Sequence, residues 1–92
     1  IEPLINSYSY ALKHKILIID MSDVTMIDLS ASYALEDLIS RARSKNIRAF
    51  VLNAKPKVEK ILYKLDFIKN IGKNNYKKSK ESIVATIFKT HN

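Results

Sequence analysis

Branched aliphatics open the most informative stretch of the chain, Lys15 to Leu38. Ile16-Leu17-Ile18-Ile19 is an unbroken apolar run between polar flanks, too short for a globular helix. It reads as a strand buried on both faces, of the kind found in parallel sheets. The strand ends at Asp20, and the polar stretch Met21-Ser22-Asp23-Val24-Thr25 follows. After Met26-Ile27 and Asp28-Leu29-Ser30 the period changes: Ala31, Ala34, Leu35, Leu38, Ile39 and Ala42 recur at helical spacing, predicting a helix over about 30–44. Lys45-Asn46 stops it, Asn taking the left-handed conformation that Gly usually supplies.

The pattern then repeats. Ile47 to Asn53 predicts a second strand with Ala49-Phe50-Val51-Leu52 buried, so strand, helix and strand imply a right-handed parallel crossover. Pro56 opens a helix with Val58, Ile61, Leu62 and Leu65 on its apolar face, closed by Asp66-Phe67. Ile68 to Lys78 reads as irregular around Gly72, with a short third strand near 75–77. Ser79 is an N-cap for a last helix whose Ile83, Val84, Ile87 and Phe88 turn inward. Upstream, Leu4, Ile5, Tyr8, Ala11 and Leu12 form one stripe, predicting an amphipathic helix over residues 2–12 with Pro3 in its first turn.

The ordered set carries a family resemblance. A strand, then Asp-x-Ser/Thr-x, then a helix resembles the signature of STAS domains (sulphate transporter and anti-sigma-factor antagonist), and IIDMSDVTMIDLSASYALEDLI lies over it without a gap. The likeness runs on through RARSKNIRAFVLNAKPKVEKILYKLDFIKNIGKNNYKKSKESIVATI. Its later part, Ile71-Gly72-Lys73-Asn74-Asn75 and the helix beyond, is more similar to the version borne by SulP-type anion transporters. One departure is Ala31, where many members have Gly. The resemblance implies an α/β fold: a small, mostly parallel sheet with flanking helices. Since one or two strands precede the first helix in that family, it also implies that residues 1–92 are one domain lacking its N-terminal strands. The missing strands would bare a sheet edge that favours association.

Composition narrows the function. With 47% hydrophobic residues, 92 residues supply one core and one domain. The absence of Cys excludes a disulfide framework and a thiolate nucleophile. No apolar run approaches the ~20 residues of a membrane span. The net charge of +7 is uneven: residues 1–44 carry four Lys/Arg against six Asp/Glu, residues 45–92 twelve against three. A basic half suits nucleic acid or an anionic membrane. It suits a lysine-rich solvated surface better, and it lacks the interleaved aromatics of a single-strand binder. A nucleic-acid partner is therefore not expected.

Among individual residues, Ser30 has two readings. It caps the helix, or it is a phosphorylation switch whose charge lies along the helix dipole. The switch is what the anti-sigma-antagonist branch of the resemblance implies, since the matching serine there is phosphorylated, whereas many transporter-type members are not known to use it and the cap is the expected role. Asp20, Asp23 and Asp28 form an acidic group, but all three are local in sequence, unlike the acids from separate strands that hold Mg²⁺, so no metal is expected. His14 and His91 stand alone, and a single Gly leaves no phosphate loop. No catalytic residue and no cofactor are therefore expected. The resemblance implies a regulatory domain at the cytoplasmic face of the membrane. Met26, Ile27, Asp28, Leu29, Ser30, Ala31 and Ser32 would be its docking loop, and the transporter's own transmembrane domain, a cytoplasmic regulator or a second copy its partner. Lys57, Lys60 and Lys64 make a basic stripe that is either a solvated helix face or an anion- and lipid-facing one.

Overall fold

The computed structural model describes residues 15–91, so the helix expected over 2–12 and His14 lie outside the described residues. Strand β1 (Ile16–Asp20) leads through a loop to helix α1 (Leu29–Ser44), then β2 (Arg48–Leu52) and α2 (Pro56–Lys64). Helix α3 (Phe67–Ile71), a 3₁₀ turn (Lys73–Asn75), β3 (Tyr76–Lys77) and α4 (Lys80–His91) complete it. The sheet has the order β1-β2-β3 and both pairings are parallel, with Ile18 opposite Phe50 and Val51 opposite Tyr76. The expected α/β architecture is therefore present.

Alternation along β2 divides the interior in two. Ala49 and Val51 meet Ile39 of α1, Val58 and Leu62 of α2, and Phe67, Ile68 and Ile71 of α3. Phe50 and Leu52 face the other way, onto Ile83 of α4, with Ile16 and Ile87 at the margin. The strand covered on both faces is thus β2, from Ala49 to Leu52. It is not β1: among the described residues β1 is an edge strand, and Ile18 on the α4 side is 43% exposed.

Helix α1 is rotated from its expected stripe. Ser32, Ile39 and Ala42 are buried and Leu35 partly so, whereas Ala31, Ala34 and Leu38 face outward. Residues 32, 35, 39 and 42 make one row at helical spacing and lie over the sheet. Leu38 instead borders an apolar groove beside β1, with Ile16, Leu17 and Ile47. The helix closes as expected: Asn46 is left-handed, its N–H bonds the Arg43 carbonyl and that of Ile47 bonds the Ala42 carbonyl. This reciprocal pair is a Schellman motif.

Pro56 occupies the first turn of α2, and Asp66, at φ 59°, ends that helix region. The segment from Ile68 is not irregular at its start, because Phe67–Ile71 is helical with Phe67, Ile68 and Ile71 all buried. A single turn is too short to show a period, and burial of three side chains in five residues holds it. The expected short strand appears as Tyr76–Lys77, and Ser79 caps α4 by accepting from the Ser82 N–H at 3.1 Å. Within α4, Ile83 is buried and Ile87 and Phe88 partly so, but Val84 is half exposed, past the edge of the small cluster.

Candidate docking loop at the entrance of helix α1

The loop from Met21 to Asp28 hangs from two apolar anchors. Met21 and Ile27 are buried in the larger core, and the Met21 N–H bonds the Leu52 carbonyl at 2.9 Å. Between them, Asp20 turns the chain by accepting from the Ser22 N–H at 2.9 Å. That bond, and a second from the Ser22 hydroxyl, hold the Asp20 carboxyl below its ordinary range, with a smaller contribution from Lys80. At the other end, extended backbone at Asp28 lets its Oδ1 accept from the Ala31 N–H at 2.8 Å. Asp28, not Ser30, is therefore the N-cap of α1. Ser30 sits exposed in the first turn.

The structure splits the expected docking set. Met26 (71% exposed), Leu29 (48%) and Ser30 face outward, as do Asp28 and Ala31. Ile27 and Ser32 belong to the interior instead, because the first anchors the loop and the second lies in the buried row of α1. Sequence reasoning missed Tyr33, which is 58% exposed and one turn beyond Leu29. The signal was its position four residues after an exposed Leu, which puts both on one helix face. Beyond Tyr33 the surface deepens into a cleft of about 440 Å³ between α1 and α3, with Glu36, Asp37, Arg43 and Asn70 among its walls. Asn70 donates to the Glu36 carboxylate at 3.3 Å, and Arg43 donates to the Ile71 carbonyl.

The other candidates do not gather. Among the described residues, no group of three His, Cys, Asp or Glu could hold a metal ion. Asp20 and Asp28 each spend a carboxylate oxygen on a backbone N–H. Lys57, Lys60 and Lys64 are all exposed along one side of α2, away from the loop's own residues in sequence and element.

Two parallel crossovers, flanked by helices on both faces and entered through an acid-capped helix, make a small α/β domain. Residues 2–90 match the family model described as STAS domain, and the chain belongs to that family. It is also 34% identical, over 61 residues, to Sulfate transporter 1.1 of Arabidopsis thaliana, a match covering 66% of this chain and 9% of that protein. The chain thus spans less than a tenth of that relative's length. Among the described residues no helix is long and apolar enough to cross a membrane.

Proposed function

We propose that this domain is a non-catalytic regulatory module of a SulP-type anion transporter, docking at the cytoplasmic face of the membrane. The observation that carries this reading is the exposed apolar patch of Met26, Leu29 and Tyr33 at the entrance of α1, on a chain similar to a sulfate transporter. Burying those three side chains would contribute on the order of 3–6 kcal/mol before the cost of ordering the partner. The partner is the transmembrane domain of the same transporter, or a cytoplasmic regulatory protein or second copy acting on it. Docking shifts the transport equilibrium by no more than the partner's differential affinity for the two transport states.

The test is anion uptake by the intact transporter carrying Met26→Asp or Tyr33→Ala. Reduced uptake is expected at unchanged amounts of protein in the membrane, and uptake equal to the parent in both variants overturns the reading. A second reading, a free-standing anti-sigma-factor antagonist switched at Ser30, draws on the exposure of that residue beside the patch. Phosphate mapped to Ser30 in protein isolated from its native cell, with loss of a partner on phosphorylation, would favour it.

A further inference from the structure

Helix α2 turns Val58 and Leu62 into the larger core, where both are fully buried, so its opposite side is fixed toward solvent. Lys57, Lys60 and Lys64 recur along that side at helical spacing, and all three are exposed. Tyr63, 55% exposed, flanks them one helical turn from Lys60. The surface continues past the end of the helix. A hollow of about 410 Å³ separates Tyr63 from Lys69 of α3 and Lys73 of the 3₁₀ turn, with Asp66 and the buried Ile68 completing its lining.

The charge on this face is uncompensated. From Lys55 to Lys73 the chain carries six lysines against Glu59 and Asp66. Glu59 is committed elsewhere, being half-buried with its carboxylate accepting from the Tyr76 phenol. Among the described residues, no ion pair or side-chain hydrogen bond engages Lys57, Lys60, Lys64, Lys69 or Lys73. The helix itself disfavours the arrangement. Lys55 is an N-cap residue with no side-chain capping bond, and Lys57 stands in the first turn, where the helix dipole repels cations. Lys60 and Lys64 are a like-charged i,i+4 pair, which destabilises a helix. An anionic surface laid against the face offsets all three costs.

The exposed aromatic selects the kind of surface. A Tyr beside lysines suits a bilayer's headgroup layer, where the ring is half sheltered and the phenol stays wet while lysine stems follow the apolar boundary. One aromatic is too few for the successive base stacking of a single-strand binder. We propose that this face of α2, with Tyr63 at its edge and Lys69 and Lys73 beyond it, docks on the anionic lipid surface of a bilayer. Each lysine held near such a surface contributes about fivefold to partitioning. Lipid is a partner additional to the one docked at the α1 entrance. Vesicle binding needs no transporter, so the two readings fail separately.

The 92-residue chain is mixed with phosphatidylcholine vesicles, with or without phosphatidylserine, and the bound fraction is read by sedimentation. Binding is expected with phosphatidylserine alone, weakening as salt rises. K57Q/K60Q/K64Q is expected to weaken it by about a hundredfold. K15Q/K45Q/K80Q removes the same charge from exposed positions on other elements and is expected to weaken it far less. Equal losses in the two variants, or binding indifferent to phosphatidylserine, overturn the surface. The chain has no Trp, so Tyr63→Trp gives one reporter at the edge of the face. Its emission is expected to shift to the blue on anionic vesicles and to be quenched by brominated acyl chains. Unchanged emission from bound protein overturns the seating, and this reporter decides alone should the triple lysine variant fail to fold. Tighter binding to duplex or single-stranded DNA than to anionic vesicles at equal salt, lost in K57Q/K60Q/K64Q, would assign the face to nucleic acid and overturn the lipid proposal.

Discussion

Tyr76 of β3 donates its phenolic hydrogen to the Glu59 carboxylate of α2 at 2.5 Å. Burial pushes the Tyr76 phenol well above its ordinary value of 10.0, and the bond to Glu59 and that group's charge add to the rise. The folded chain therefore keeps a proton that the unfolded chain releases near pH 10. Stability from this group is fully present below that pH and falls as the pH climbs beyond it. Tyr76→Phe is expected to cost about 1 kcal/mol at neutral pH and to flatten the alkaline decline above pH 10, checked by urea unfolding across that range.

Capping separates Asp28 from Ser30. Asp28→Ala removes the acceptor for the Ala31 N–H and is expected to cost about 1 kcal/mol, some 4–8 °C in a domain of this size. Ser30→Ala removes no capping bond and is expected to change stability by less than ~0.5 kcal/mol. Equal losses in thermal unfolding would contradict this division of labour. Ser30→Glu is expected to keep the fold, since a negative charge in the first turn suits the helix dipole.

Ser32 is fully buried, and its hydroxyl lacks a hydrogen-bond partner among the described residues. Ser32→Ala leaves the backbone of α1 intact and deletes an uncompensated polar group. A gain of about 1 kcal/mol is expected in chemical denaturation, where most core substitutions lose.

Gly72 has φ 96°, and a Cβ placed there would approach the Asn75 amide nitrogen at 2.8 Å. That amide donates to the Ile71 carbonyl at 2.9 Å, so it cannot yield without breaking a bond. Gly72→Ala is expected to cost about 1–3 kcal/mol, read from the denaturation midpoint.

How far the sequence could be read follows the length of each element. The run at Ile16–Ile19, the Pro56 and Ser79 helix starts and the Asn46 stop carry strong local signals, and all four stand in the structure. What failed depended on neighbours. The rotation of α1 by about one position depends on where the sheet lies beneath it, which puts polar Ser32 inside and Leu38 outside. Helix α3 spans barely a turn, so burial shapes it more than period. In the candidate docking loop, the outward placing of Met26, Leu29 and Ser30 follows from their standing at a helix entrance. Ile27 was misplaced, since a loop residue that anchors into the core looks the same in sequence as one that faces water.

Among the described residues, helix α4 closes the second face of the sheet through a far smaller apolar cluster than the one beneath α1, α2 and α3. Amide protons of α4 are therefore expected to exchange with solvent by opening events that leave the β2 ladder closed. Each such event uncovers Phe50 and Leu52 beside the already half-bare Ile18, an oily strand surface without its lid. On warming, chains are expected to stick to one another through that surface before the larger core melts, an order that light scattering followed beside thermal unfolding checks.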